Sequence, residues 1–155
     1  MRRMLALTCA ALALQSVGCS IEPSDERPGL GLSGELVTEP VESWSFSDEF
    51  EDVFIETRTP YFLPHSVTIW CTTIGTQLYI AALDPDEKHW VANVRRDPNV
   101  RLKIGDKIYE QRLEPITEAG TIEFIDRAFE NKYGDDEPAS EAAAAAMKKA
   151  FALVG

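Results

Sequence analysis

Six basic side chains fall between Lys88 and Lys107, against only Asp97 and Asp106 on the acidic side, in a chain whose formal charge is −11. Cations gathered so locally suit a small anion such as a phosphate, whereas a nucleic-acid footprint needs a broader basic face. Within that stretch Trp90 and Asn93 are three apart, the spacing that puts two side chains on one face of a helix. His65 and His89 are the only histidines. No Cys or acidic cluster stands at ligand spacing from them, which argues against a metal centre. A nucleophile-elbow pattern for Ser-His-Asp hydrolysis is absent. Cys71 lies in an alternating apolar segment and reads as a small buried residue rather than a nucleophile.

The elements that hold the basic stretch can be read from its neighbours. Asp84 as cap, Pro85 at the first helical position and Glu87 three beyond the cap predict a short helix. Asp97-Pro98 ends it, because proline pushes the preceding residue out of the α region. Val100, Leu102 and Ile104 then alternate with Arg101 and Lys103, the period of a half-buried strand. Arg101 and Lys103 make a solvated face that would also suit a phosphate. Upstream, Val53–Thr57 predicts a strand. Val67, Ile69 and Cys71 alternate with Thr68, Trp70 and Thr72 as another, and Gly75 turns the chain into Gln77–Leu83. Downstream, Gly105-Asp106 joins the strand over 99–104 to one over Lys107–Leu113. Residues 117–133 predict a helix with Ile122, Ile125, Ala128 and Phe129 on one stripe, and 141–154, rich in alanine, predict a second. The order is α+β, with an antiparallel sheet closed or nearly closed into a small barrel with flanking helices.

Charge divides the chain. From Ser20 to Glu56 there are eleven acidic residues and one basic, while from Thr57 to Gly134 there are eleven and ten. The acidity belongs to a leader. Arg2 and Arg3, an apolar run from Met4 to Leu14 and small residues up to Cys19 describe a secretory signal, and the run is too short to span a bilayer. The Pro-, Gly-, Ser- and Glu-rich residues that follow predict a flexible tether. The expected division is signal over 1–18, acidic tether over 19–45, barrel domain over 46–134 and helical extension over 135–155.

Two resemblances add to this reading. Residues 16–19 resemble a bacterial lipobox, which implies acylation of Cys19 and membrane attachment through an N-terminal lipid alone. Ser16 departs from the usual large aliphatic residue, and a plain signal cut is the alternative. Ser20 after the cysteine would favour the outer membrane of a periplasm-facing lipoprotein. Lys88, Trp90-x-x-Asn93, Asp97-Pro98 and Val100 resemble the flavin-binding split-barrel superfamily, with its pyridoxamine 5'-phosphate oxidase-like proteins and deazaflavin-dependent nitroreductases. The likeness runs from Val53 to Tyr133 and is best from Tyr79 to Leu102. It implies a split barrel, a homodimer with the site near its interface, and FMN or a deazaflavin as cofactor, with haem the less favoured ligand. Lys88 would take the cofactor phosphate, Trp70 or Trp90 would wall the ring, and Asn93 or Thr68 would bond to ring edges or ribityl chain. Arg58 is the nearest counterpart of the family's phosphate-binding arginine. The reading is a flavin-like cofactor-binding protein of the cell envelope, an oxidoreductase acting on a small molecule and not on nucleic acid. The alternative is a non-catalytic ligand-binding or structural lipoprotein on the same fold.

Overall fold

A computed structural model describes residues 21–24, 27–133 and 147–154. The signal and Cys19 lie outside the described residues, as does the linker over 135–140. The strands are β1 (Glu35–Val37), β2 (Val53–Arg58), β3 (Pro64–Ile74), β4 (Gln77–Leu83), β5 (Asn99–Ile104), β6 (Lys107–Ile116) and β7 (Met147–Val154). Helix α1 (His89–Arg96) joins β4 to β5, and α2 (Ala119–Tyr133) follows β6. Neighbours run β6-β5-β2-β3-β4-β7, and β7 returns to β6, so six antiparallel strands close on themselves. β1 lies parallel to the first residues of β6, and β7 takes the later ones. This is an α+β split barrel with flanking helices, as the order of elements predicts.

Alternation builds the core. Val53, Ile55, Cys71, Leu78, Ile80 and Leu102 are fully buried and point inward with Val100 and Ile104. Trp44 closes one end of this cluster with its ring 5.1 Å from that of Tyr109. A smaller cluster of Ala81, Ile125 and Phe129 seats α2 against the opposite side of the sheet. Gly105 turns the β5–β6 hairpin at φ +59°, where a side chain is strained and a Cβ would also stand 2.9 Å from the Phe50 ring.

Three expectations are corrected. The described residues of 21–44 are not a free tether but pack against β2, β3, β5 and β6. Gly29 pairs with Ser66, Glu22 accepts from Lys103 at 2.5 Å and from Ser33, and Leu32 is buried. Composition alone misses this because a few knobs and one ion pair are enough when a barrel face is already there to receive them. Helix α1 begins at His89 rather than beside Asp84. Asp84 sits at φ +48°, outside the extended conformation a cap requires, and Glu87 N–H closes a turn on its carbonyl. Residues 147–154 form a strand, not the end of a helix. β4 and β6 each offer an edge, and pairing with both outweighs the helix preference of alanine. The barrel therefore includes β7 as a stave instead of ending before a helical extension.

Candidate functional site

Helix α1 is amphipathic, and Trp90, Val91, Asn93 and Val94 are the residues it buries. Trp90 belongs to the barrel core at 6% exposure. Asn93 Nδ2 donates to Thr57 Oγ1 at 3.1 Å, and that hydroxyl donates to the His65 carbonyl at 3.2 Å. This buried relay pins α1 to β2 and β3 and engages the amide within the protein. Lys88 occupies the N-cap with an extended backbone, makes no side-chain cap bond and is exposed. Thr68 and Trp70 lie on the other side of β3 from the inward-facing Ile69 and Cys71. Trp70 stacks on Tyr133 of α2 at 5.5 Å. The five residues singled out for a cofactor thus divide among the barrel interior, the α2 side of β3 and an exposed helix start; no single surface gathers them.

A different surface does gather polar side chains. A groove of about 1050 Å³ opens where the ends of β2, β5 and β6 meet the leader. Strand register explains its chemistry. Glu56, Arg101 and Glu110 face one another across three strands as one rung. Two residues along, on the same side of each strand, Asn99 stands directly opposite Arg112 as the next rung, and Arg58 ends β2 beyond the last β2–β5 pair and lines the same groove. On the first rung Glu56 and Arg101 neutralise each other, Glu56 Oε2 accepting from Arg101 at 2.8 Å and from Leu32 N–H at 2.7 Å, and Glu110 adds a carboxylate. Neither Arg58 nor Arg112 makes an ion pair among the described residues. Apolar walls come from Val41, Trp44, Phe62, Pro64 and Val100. Carboxylates at Glu39, Glu42, Asp97 and Glu110 share the lining, so the positive part is at Arg58 and Arg112 rather than the whole groove.

Titration elsewhere follows burial. His65, with its ring 6.5 Å from that of His89, is held below the ordinary histidine value by burial first and by His89 second. Burial pushes the Cys71 thiol up, which keeps it protonated and unreactive. Glu22 is held below the usual carboxylate value by the bonds from Lys103 and Ser33. Among the described residues no group of three or more His, Cys, Asp or Glu converges as metal ligands, and no helix is long and apolar enough to cross a membrane.

Arg112 is missing from the sequence candidates, although the two-residue loop at Gly105-Asp106 already sets it opposite Asn99. Of the strand cations the sequence offers to a phosphate, Arg58 and Arg101 line one groove, while Lys103 is not on a solvated face but buried and paired with Glu22.

Over residues 47–153 the sequence matches the family described as "Uncharacterized protein conserved in bacteria (DUF2255)". The chain belongs to this family. No curated protein sequence matches it. Solved structures place the family member's fold. A conserved hypothetical protein from Mycobacterium tuberculosis superposes with a TM-score of 0.58 at 16% identity, over 81% of this chain and 84% of the other. A candidate pyridoxamine 5'-phosphate oxidase from Listeria innocua gives 0.51 at 18%, over 70% and 86%. An F420 reductase gives 0.51 at 18%, over 76% and 94%. At such identities the likeness is one of fold, and the fold is the split barrel that the Lys88–Val100 pattern implied.

Proposed function

We propose that this chain binds a flavin-like cofactor, FMN or a deazaflavin, in the groove between β2, β5, β6 and the leader. The observation that carries this reading is that Arg58 and Arg112 line one groove, and neither has a carboxylate partner among the described residues. Two such guanidinium groups suit a single phosphate. The apolar part of the lining, with Trp44, Phe62 and Val100, suits an uncharged ring, and the polar groups around it suit a polyhydroxyl chain. The split-barrel likeness to a candidate pyridoxamine 5'-phosphate oxidase and an F420 reductase supports the same ligand class. When bound, such a cofactor supplies hydride chemistry, while the protein holds the phosphate, orients the ring and limits access of water. Neither histidine lines the groove, so a haem would lack an imidazole ligand there. Thr68 and Trp70 are the earlier candidates that remain open to a ligand, from the α2 side or across a homodimer interface.

The test is a visible spectrum of the purified chain followed by titration with FMN, reduced F420 and haem. Arg58→Ala and Arg112→Ala should each weaken a phosphate-bearing ligand by about 1.5–3 kcal/mol, the range for a hydrogen bond to a charged group. Lys88→Ala should leave affinity unchanged. No colour and no micromolar binding would remove the cofactor reading. The groove's carboxylates favour the second reading, a non-catalytic ligand-binding or structural protein. For its location we carry forward the lipobox-like residues: acylation at Cys19 would place the barrel at the periplasmic face of the envelope, checked by labelled-palmitate incorporation in wild type and in Cys19→Ser.

A further inference from the structure

We infer that the loop Tyr61–Leu63 is a docking surface for an anionic lipid bilayer. Tyr61, Phe62 and Leu63 are 83%, 79% and 61% exposed, ahead of every other large apolar side chain among the described residues. Scattered exposed apolar residues are ordinary, but three in a row at a tip mark a contact site. The tip is held in shape. Thr59 N–H donates to the Leu63 carbonyl at 2.9 Å, Leu63 N–H to Thr59 Oγ1 at 3.1 Å, and Phe62 N–H to the Thr59 carbonyl at 2.9 Å. Phe62 adopts φ +62°, a left-handed conformation that strains any residue bearing a Cβ. An aromatic ring is kept where glycine would fit with less strain, and such positions concentrate at working sites.

Two observations choose a bilayer as the occupant. The base of the loop carries cations: Arg58 immediately precedes Thr59, and the Arg96 guanidinium donates to the Arg58 carbonyl. Neither arginine has a carboxylate partner among the described residues. Of the acids that share a groove with Arg58 and Phe62, Asp97 accepts from Asn99 and Glu56 from Arg101, while Glu39, Glu42 and Glu110 also line it. An apolar tip above a cationic collar matches the acyl boundary and phosphate layer of an anionic membrane. The chain also enters the barrel at this end. Gly29 pairs with Ser66, three residues beyond Leu63, and Leu30 N–H donates to the Ile21 carbonyl at 2.7 Å. Exposed Ile21 and Leu30 therefore lie within roughly 20 Å of Leu63, from strand rise and spacing. Twenty residues precede Ile21, including the apolar run over 4–14 and Cys19. From Cys19 to Ile21 the backbone reaches at most about 7 Å. An anchor at Cys19 would bring this end to the membrane, although docking by the loop does not depend on it.

The experiment uses the full chain purified without acylation, so that binding is independent of a lipid on Cys19. Vesicles of mixed phosphatidylcholine and phosphatidylglycerol are compared with phosphatidylcholine alone. The intact chain should sediment with the mixed vesicles. The combined change Tyr61→Ser, Phe62→Gly and Leu63→Ser should lower that partition about tenfold or more. Arg58→Gln with Arg96→Gln should abolish the preference for anionic vesicles. As a conservative variant, Phe62→Trp should gain fluorescence that brominated-chain lipids quench. Unchanged partition in the loop variant, or no added quenching in Phe62→Trp, would overturn the inference. A loop variant that converts a dimer to a monomer in the absence of vesicles while leaving vesicle binding intact would overturn it too, making the loop a protein interface.

Discussion

Glu56 offers the sharpest test of how the leader is held. One oxygen, Oε2, accepts from Leu32 N–H of the leader and from Arg101 on β5, and the side chain is only 13% exposed. Replacing Glu56 by Ala removes the acceptor for a backbone donor that folding has taken from water. A hydrogen bond from an amide to an ionised group contributes about 1.5–3 kcal/mol. Arg101 keeps a third of its side chain in solvent, so its loss of a partner adds little after screening. If leader detachment is the opening reaction, exchange of the Leu32 amide should accelerate roughly 10- to 150-fold, since about 1.4 kcal/mol is a factor of ten. Glu56→Gln keeps an acceptor without the charge and should give about half that free-energy change, or roughly 3- to 12-fold. The assay is amide exchange followed by NMR, with a core amide such as that of Ile55 as the internal control. Leu32 exchange within threefold of wild type in Glu56→Ala would refute the assignment of Glu56 as the leader's clasp. Equal acceleration at Ile55 would mean that global unfolding, not local release, was measured.

Other consequences can be checked by simpler means. Trp90→Ala should cost about 3–5 kcal/mol in urea unfolding, as a core truncation does, while Lys88→Ala should cost almost nothing. Phe62→Gly should raise stability by up to about 1 kcal/mol, because strain relief at φ +62° slightly exceeds the added freedom of the unfolded chain. Acid should loosen the leader in a defined window. Glu22 has a folded value below its ordinary 4.5, so its contribution is full above that pH and is lost as pH falls through the folded value. Faster exchange at Leu32 in that window, suppressed in Glu22→Gln, would report it. His65 is depressed from 6.5 by burial and His89, so melting temperature should fall as pH drops below 6.5, and less so in His65→Phe.

The barrel was legible because its strands alternate cleanly. Val67-Thr68-Ile69-Trp70-Cys71 and Val100-Arg101-Leu102 put one set inward, and glycines mark both turns. The two chain segments flanking the barrel were not legible, since each takes its structure from an edge or face made elsewhere. Residues 147–154 have no strand signal strong enough to overrule alanine until β4 and β6 present their hydrogen-bonding groups. Leu32 and Trp44 look like isolated apolar residues in a polar leader until the barrel gives them somewhere to go. The candidate site was legible in its components and not in its assembly. The basic stretch is real, but strand register sends Arg101 to the groove with Arg58 and Arg112, while helix phase sends Trp90 and Asn93 indoors. The β5–β6 register follows from its two-residue loop, but the pairing of β2 with β5 is long-range, and a window of neighbouring residues does not contain it.

The double pairing of β7 has a consequence for how the protein is made. β4 ends at Leu83 and β6 at Ile116, yet the strand that satisfies both begins at Met147. During synthesis, five staves of the barrel must wait with two open margins until the sixth, β7, arrives. Such margins invite pairing with other chains. Strand β7 thus acts as a latch: closure of the barrel waits on a strand that is made some thirty residues after the second of the two margins it joins.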